Sequence, residues 1–193
     1  MKKNRLEAFS DGVLAIIITI MVLEIKVPEG DHFFSLQQLI PVAVSYVLSF
    51  LYIAIYWNNH HHMMHTVKYV NGKILWANMH LLFWLSLVPF ATGWMGENKF
   101  AAGPMLLYGI ILLMAAIAYY LLQSVILKSQ KPNSLLKKAI GRDLKGKFSP
   151  VFYSIGIIFC YINVWIAGAI YVMVAFLWLI PDKRIEIIIN QEV

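Results

Sequence analysis

Charged residues enter this chain only in short clusters, and the runs between them are apolar and long enough to cross a lipid bilayer. That pattern predicts an all-α polytopic membrane protein. Composition agrees where it bears on the point. The chain is 60% hydrophobic and 13% charged, against roughly 45–50% and 25% in soluble domains. A net charge of +6 raises nucleic acid as a partner, but the placement of the charge removes it. The basic residues sit at the edges of apolar runs, where they face anionic lipid headgroups. The expected partner is therefore the bilayer and not nucleic acid. The single cysteine, Cys160, lies inside an apolar run and has no second cysteine in the chain to pair with.

Six spans are predicted, over residues 5–26, 35–57, 72–94, 102–127, 148–161 and 163–180, as one transmembrane unit. The basic start Met1-Lys2-Lys3-Asn4-Arg5 resembles that of a signal peptide. Glu24-Ile25-Lys26-Val27-Pro28 follows the run in place of a small-residue cleavage site, so the segment reads as an uncleaved first span. Pro41 falls in the opening turns of the second helix, Pro89 lies within the third, and Pro104 suits the start of the fourth. The last apolar block, Phe148 to Ile180, would be about 50 Å long as one helix, against a hydrocarbon core of roughly 30 Å. Two helices with a turn near Tyr161-Ile162-Asn163 use that length better. With the N-terminus inside, 14 of the 16 Lys and Arg fall inside and only Lys26 and Lys99 outside. A multi-pass protein of the cell (inner) membrane, both termini cytoplasmic, is the expectation. Between Lys128 and Lys147 a surface helix capped by Ser134 and a solvated basic loop both remain open.

The first span is the informative one. Twelve residues, Gly12 to Leu23, separate Asp11 from Glu24. As a helix they cover about 18 Å, so at least one carboxylate approaches membrane depth. Charges there face a bundle interior or a water-filled cavity. The plainer readings are a helix cap for Ser10 and Asp11, and an interfacial carboxylate beside Lys26 for Glu24. Ile16, Thr19, Ile20 and Leu23 recur at i, i+3, i+4 and i+7 and form one stripe. Such a stripe can pack on a neighbouring helix, or can ring a pore if several copies meet on an axis. Spacing alone favours packing.

The segment from Arg5 to Ile16 resembles the signature of the transmembrane-protein-175 family of potassium channels: Arg, three residues, then Phe-Ser-Asp, here Arg5, Phe9, Ser10 and Asp11. The likeness continues through a Trp-Asn-His-rich end of the second span and through Asn-x-x-Leu-Leu-Phe-Trp-x-Ser-Leu-x-Pro-Phe from Asn78 to Phe90. The resemblance implies a homotetramer of single six-helix units around a pore lined by the first helix. It implies a hydrophobic constriction at Ile16, with Thr19, Ile20 and Leu23 as the next pore-facing positions. It also implies that the Phe-Ser-Asp motif is a clasp tying this helix to its neighbours. Potassium is then the conducted ion, and no cofactor is called for. The residues accommodate this. A Thr-Val-Gly-Tyr-Gly carbonyl filter is absent from the sequence, a ring of isoleucines can gate by dewetting, and Thr19 hydroxyls can offer oxygen to a cation. Glu24, with Glu29 and Asp31, would make the outer mouth negative.

His60, His61, His62 and His65 are placed just past the second span. His61 and His65 have a spacing that can chelate a metal, but without a nearby cysteine or close carboxylate no metal is expected. Intramembrane polar groups need partners, which predicts a network of Arg5, Ser10, Asp11, His61 and Asn78, with Trp57 one turn from His61. Trp76, Trp84, Trp94, Trp165 and Trp178 fit interfacial or packing roles. Gly103, Gly109, Gly156 and Gly168 fit close helix approach. A competing function is a proton-coupled secondary transporter using Asp11, Glu24 and the histidines, although paired broken helices and internal repeats are not evident. No phosphate loop, catalytic triad or zinc-hydrolase motif points to an enzyme.

Overall fold

The computed structural model describes residues 3–67, 69–129 and 144–179. The elements are α1 (Lys3–Leu23), a short 3-10 helix (Phe33–Leu39), α2 (Ile40–His65), α3 (Gly72–Ser86), α4 (Val88–Glu97), α5 (Ala102–Ser129), α6 (Leu144–Phe159) and α7 (Val164–Leu179). No strand occurs among the described residues. α3 and α4 follow one another as a single apolar rod, Gly72–Glu97, so the elements make six passes. Four of these, α1, the 3-10 helix with α2, the α3–α4 rod, and α5, are long and apolar enough to cross a membrane, while α6 and α7 are shorter apolar helices. The segment on which Ser134 was considered as a cap lies outside the described residues.

Local chemistry explains the boundaries. Pro41 sits at the start of α2, where a missing N–H costs nothing. Asn71 caps α3, its Oδ1 accepting from the Ile74 N–H at 2.9 Å. The third span is not the unbroken helix expected from its hydropathy. Pro89 has no N–H for the Leu85 carbonyl, and the ladder shifts to the tighter pattern, with Leu87 N–H donating to Trp84 O at 3.3 Å. The chain reverses between α6 and α7 at residues 160–163. There Asn163 N–H donates to Phe159 O at 2.8 Å, and Asn163 Oδ1 accepts from Trp165 N–H at 2.9 Å. α2 runs two turns beyond Trp57, so the four histidines lie within it rather than past it. Polarity marked where apolar character stops, but the helix continues after it has.

α1 rests on α2, α3 and α4, and α5 packs against both the α3–α4 rod and the α6–α7 hairpin. Buried hydroxyls join the layers. Thr92 Oγ1 reaches Ser49 Oγ at 2.7 Å, and Ser49 Oγ lies 3.0 Å from the Tyr108 hydroxyl, linking α4, α2 and α5. The ends are tied by charge. Lys3 Nζ donates to His65 O at 3.2 Å, and Lys26 pairs with Glu97 at 2.7 Å. The start of α1 therefore meets the end of α2, and the end of α1 meets the end of α4.

Tyr171, fully buried, fills a slot between Gly109 of α5 and Gly156 of α6. A Cβ on Gly156 would stand 2.5 Å from a ring carbon, and one on Gly109 would collide with the hydroxyl. Gly96, which the sequence did not single out, permits the α2–α4 crossing, since a Cβ there would lie 2.7 Å from the Val42 backbone. Gly156→Ala should cost about 1–3 kcal/mol by overpacking a rigid ring. A thermal unfolding midpoint equal to that of the wild type would show that the slot is looser than this.

Candidate functional site

α1 has two faces of opposite status. Leu6, Ser10, Leu14, Ile17 and Met21 are buried against α2, α3 and α4. The other face lies open, with Ile16 59%, Ile20 43% and Leu23 76% exposed. Gly12 and Thr19 are exposed on the same side. The helix is apolar on both faces, which is why periodicity alone left its open stripe ambiguous. Thr19 donates its hydroxyl proton to Ala15 O at 2.9 Å. Its remaining lone pairs are therefore what the side chain can offer outward.

At one end of this face lies the Phe-Ser-Asp segment. Ser10 Oγ donates to Leu6 O and accepts from Asn78 Nδ2, both at 2.9 Å. Asn78 Oδ1 meets His60 Nε2 at 2.7 Å, so the imidazole donates from that nitrogen. Ser10, Asn78 and His60 are each 2% exposed or less. They pin α1, α3 and α2 together where lipid offers no substitute partner. Asp11, on the open side, accepts from Trp57 Nε1 at 3.0 Å. Trp57 in turn stacks on His61 with centroids 6.0 Å apart.

Of the expected network, Ser10 and Asn78 are joined directly. Asp11 and His61 belong to a separate, exposed group organised by Trp57. Arg5 and Phe9 are exposed, and no hydrogen bond of Arg5 occurs among the described residues. The member missed from sequence is His60. The stripe Tyr52, Tyr56, His60, Met64 recurs every four residues and is buried throughout, and it would have placed His60 inward had the helix been extended past Trp57. Among the described residues no three of His, Cys, Asp and Glu gather as a metal would require, and the rings of His61 and His65 stand 6.2 Å apart edge to face.

At the other end, Glu24 reaches over Gly93, where a Cβ would lie 3.8 Å from its Oε2. Ile20, Glu24, Ser86, Phe90, Gly93 and Glu97 line an open groove of about 400 Å³ between α1 and α4. Lys26 sits on its rim, and its bond to Glu97 raises the ammonium pKa, with the Glu97 charge adding to the effect. Glu29 and Asp31 lie beyond, exposed, with Asp31 3.4 Å from His32. The arrangement is a helix held firmly by one face, carrying branched apolar side chains and one acceptor oxygen on the other, with a carboxylate near each end.

Comparison with known proteins meets the same residues. Residues 5–89 match the TMEM175 family, described as the endosomal/lysosomal potassium channel TMEM175. A potassium channel of Chryseobacterium sp. is 58% identical over 186 residues, covering 96% of this chain and 97% of its own. A potassium channel of Chamaesiphon minutus is 32% identical over 178 residues, covering 85% and 87%. In three dimensions the fold is similar to the crystal structure of a lysosomal potassium-selective channel TMEM175 homolog from Chamaesiphon minutus, with a TM-score of 0.77 at 28% identity over 93% of this chain and 97% of that one.

Proposed function

Since the chain belongs to the TMEM175 family, whose members compared above are channels rather than enzymes, we propose that it conducts potassium passively as a cation channel, four copies surrounding a pore lined by α1. The observation that carries this reading is the one-sided burial of α1. Its open stripe of Ile16, Thr19, Ile20 and Leu23 is flanked by Asp11 and Glu24, both exposed. A lipid-facing stripe would place carboxylates about 18 Å apart against a hydrocarbon core of roughly 30 Å, which is costly. A water-filled axis removes that cost.

In the tetramer Ile16 forms the narrowest layer and closes by dewetting. The Thr19 layer presents four acceptor oxygens to a partly dehydrated cation. Glu24, backed by Glu29 and Asp31, concentrates cations at the outer mouth. Potassium is the cargo and is not retained as a cofactor. The clustering of basic residues supports a multi-pass protein of the cell (inner) membrane with the start of α1, the ends of α2 and α5, and both termini on the cytoplasmic side.

Flux into proteoliposomes tests the reading. Wild type is expected to pass potassium without a counter-transported ion. Thr19→Val, which keeps the shape and deletes the oxygen, is expected to lower discrimination of potassium over sodium by about 1.5–3 kcal/mol, the scale of a hydrogen bond to a charged group. Saturable flux obligatorily coupled to protons would replace the channel with a carrier built on Asp11 and Glu24.

A further inference from the structure

Away from α1, a small, partly open cavity lies among α2, α5, α6 and α7. Tyr56, Asn59, Tyr119, Gln123, Ser149 and Trp178 contribute to its walls. Two of these residues are out of place in a dry core. Gln123 and Tyr56 are each only 8% exposed. Among the described residues neither the Gln123 amide nor the Tyr56 hydroxyl has a hydrogen-bond partner. A buried amide has two donors and an acceptor to satisfy, and a buried phenol has one proton to place. Leaving either unmet costs about 1–3 kcal/mol, and buried polar groups are otherwise almost always paired.

The other polar walls do not relieve them. Ser149 Oγ donates to Lys145 O and accepts from Trp178 Nε1. Asn59 Nδ2 donates to Ile55 O at 2.8 Å, leaving its side-chain oxygen as an acceptor. The Tyr119 hydroxyl reaches Asn59 O at 3.3 Å. The space measures about 30 Å³, whereas one water needs roughly 10–15 Å³ by the same measure and two to four polar partners. The cavity is too small for an organic ligand, and its walls are mostly apolar, so the two unpartnered groups are what call for water.

We propose that each subunit holds an internal hydration site of about two waters, bridging Gln123 of α5 to Tyr56 and Asn59 of α2, separate from the stripe on α1. The waters satisfy the two orphaned groups and join α2 to α5 at the half of the bundle where α1 begins.

Radiolytic hydroxyl-radical footprinting of the full chain in nanodiscs reads this directly, because radicals form at bound water. Tyr108, fully buried and bonded to Ser49, is the internal reference. Tyr56 is expected to be oxidised about tenfold faster than Tyr108, as a ring in contact with ordered water. Gln123→Leu should bring the Tyr56 rate down toward that of Tyr108. Equal rates in the wild type would overturn the site without any variant being needed. A fast Tyr56 rate that Gln123→Leu leaves unchanged would overturn the bridging role of Gln123.

Discussion

Ile16→Ala should raise potassium flux about tenfold, equivalent to about 1.4 kcal/mol off the barrier, and should erode discrimination against sodium. The reasoning starts from burial. Ile16 is 59% exposed, so trimming it leaves the packed face of α1 undisturbed, and folding should survive. What changes is the open face. In the proposed tetramer, four shortened side chains would widen the narrowest layer and lower the cost of keeping water in it, which is the barrier that a hydrophobic gate imposes. Side-by-side flux of potassium and sodium through wild type and variant decides the matter. If neither rate nor selectivity moves, Ile16 is not the constriction, and Ile20 or Leu23 on the same stripe inherits the role.

Asn78→Leu should have the largest effect on stability. Among the described residues the amide is the only bridge between Ser10 on α1 and His60 on α2, and all three groups are buried. Leucine is close in volume, so the loss is chemical. It strips the imidazole of its acceptor and Ser10 Oγ of its donor, at about 1–3 kcal/mol per orphaned group. A total of about 2–6 kcal/mol for the two groups is a large share of the roughly 5–15 kcal/mol that holds most proteins folded. The variant should melt well below wild type in detergent. Ser10→Ala, which removes one bond of the pair, should fall between them. A melting point for Asn78→Leu within a degree or two of wild type would reduce the bridge to incidental contact.

Much of this was legible in the sequence, and the exceptions have physical causes. Charge clusters delimit six passes because hydrocarbon tolerates so few charges. The length of the block from Phe148 to Ile180 required the reversal found at residues 160–163. Pro89 was visible but its consequence was not, since a proline in a membrane helix can kink, break or be absorbed, and only the shifted ladder at Leu87 distinguishes these. His61 was expected beside Asn78 because α2 was ended too early, and the correct register brings His60 inward by a rotation of one residue. The four positions Ile16, Thr19, Ile20 and Leu23 were readable as a stripe, but spacing is blind to which side of a helix meets its neighbours. The Tyr171 slot could not be read from Gly109 and Gly156 alone, because its third member lies on another helix.

The shortness of the apolar part of α6 has a consequence for the surrounding lipid. The apolar part of α6, Phe148–Phe159, reaches about 18 Å as a helix. Acyl chains against this flank must compress to meet it, while those against the 28 residues of α5 need not. The subunit thus carries a built-in tilt in membrane thickness, and the elastic energy of that mismatch varies with acyl-chain length. Lipids with shorter tails relieve it and longer ones increase it, so the thickness of the host bilayer acts on this protein as a mechanical load on one side of each subunit.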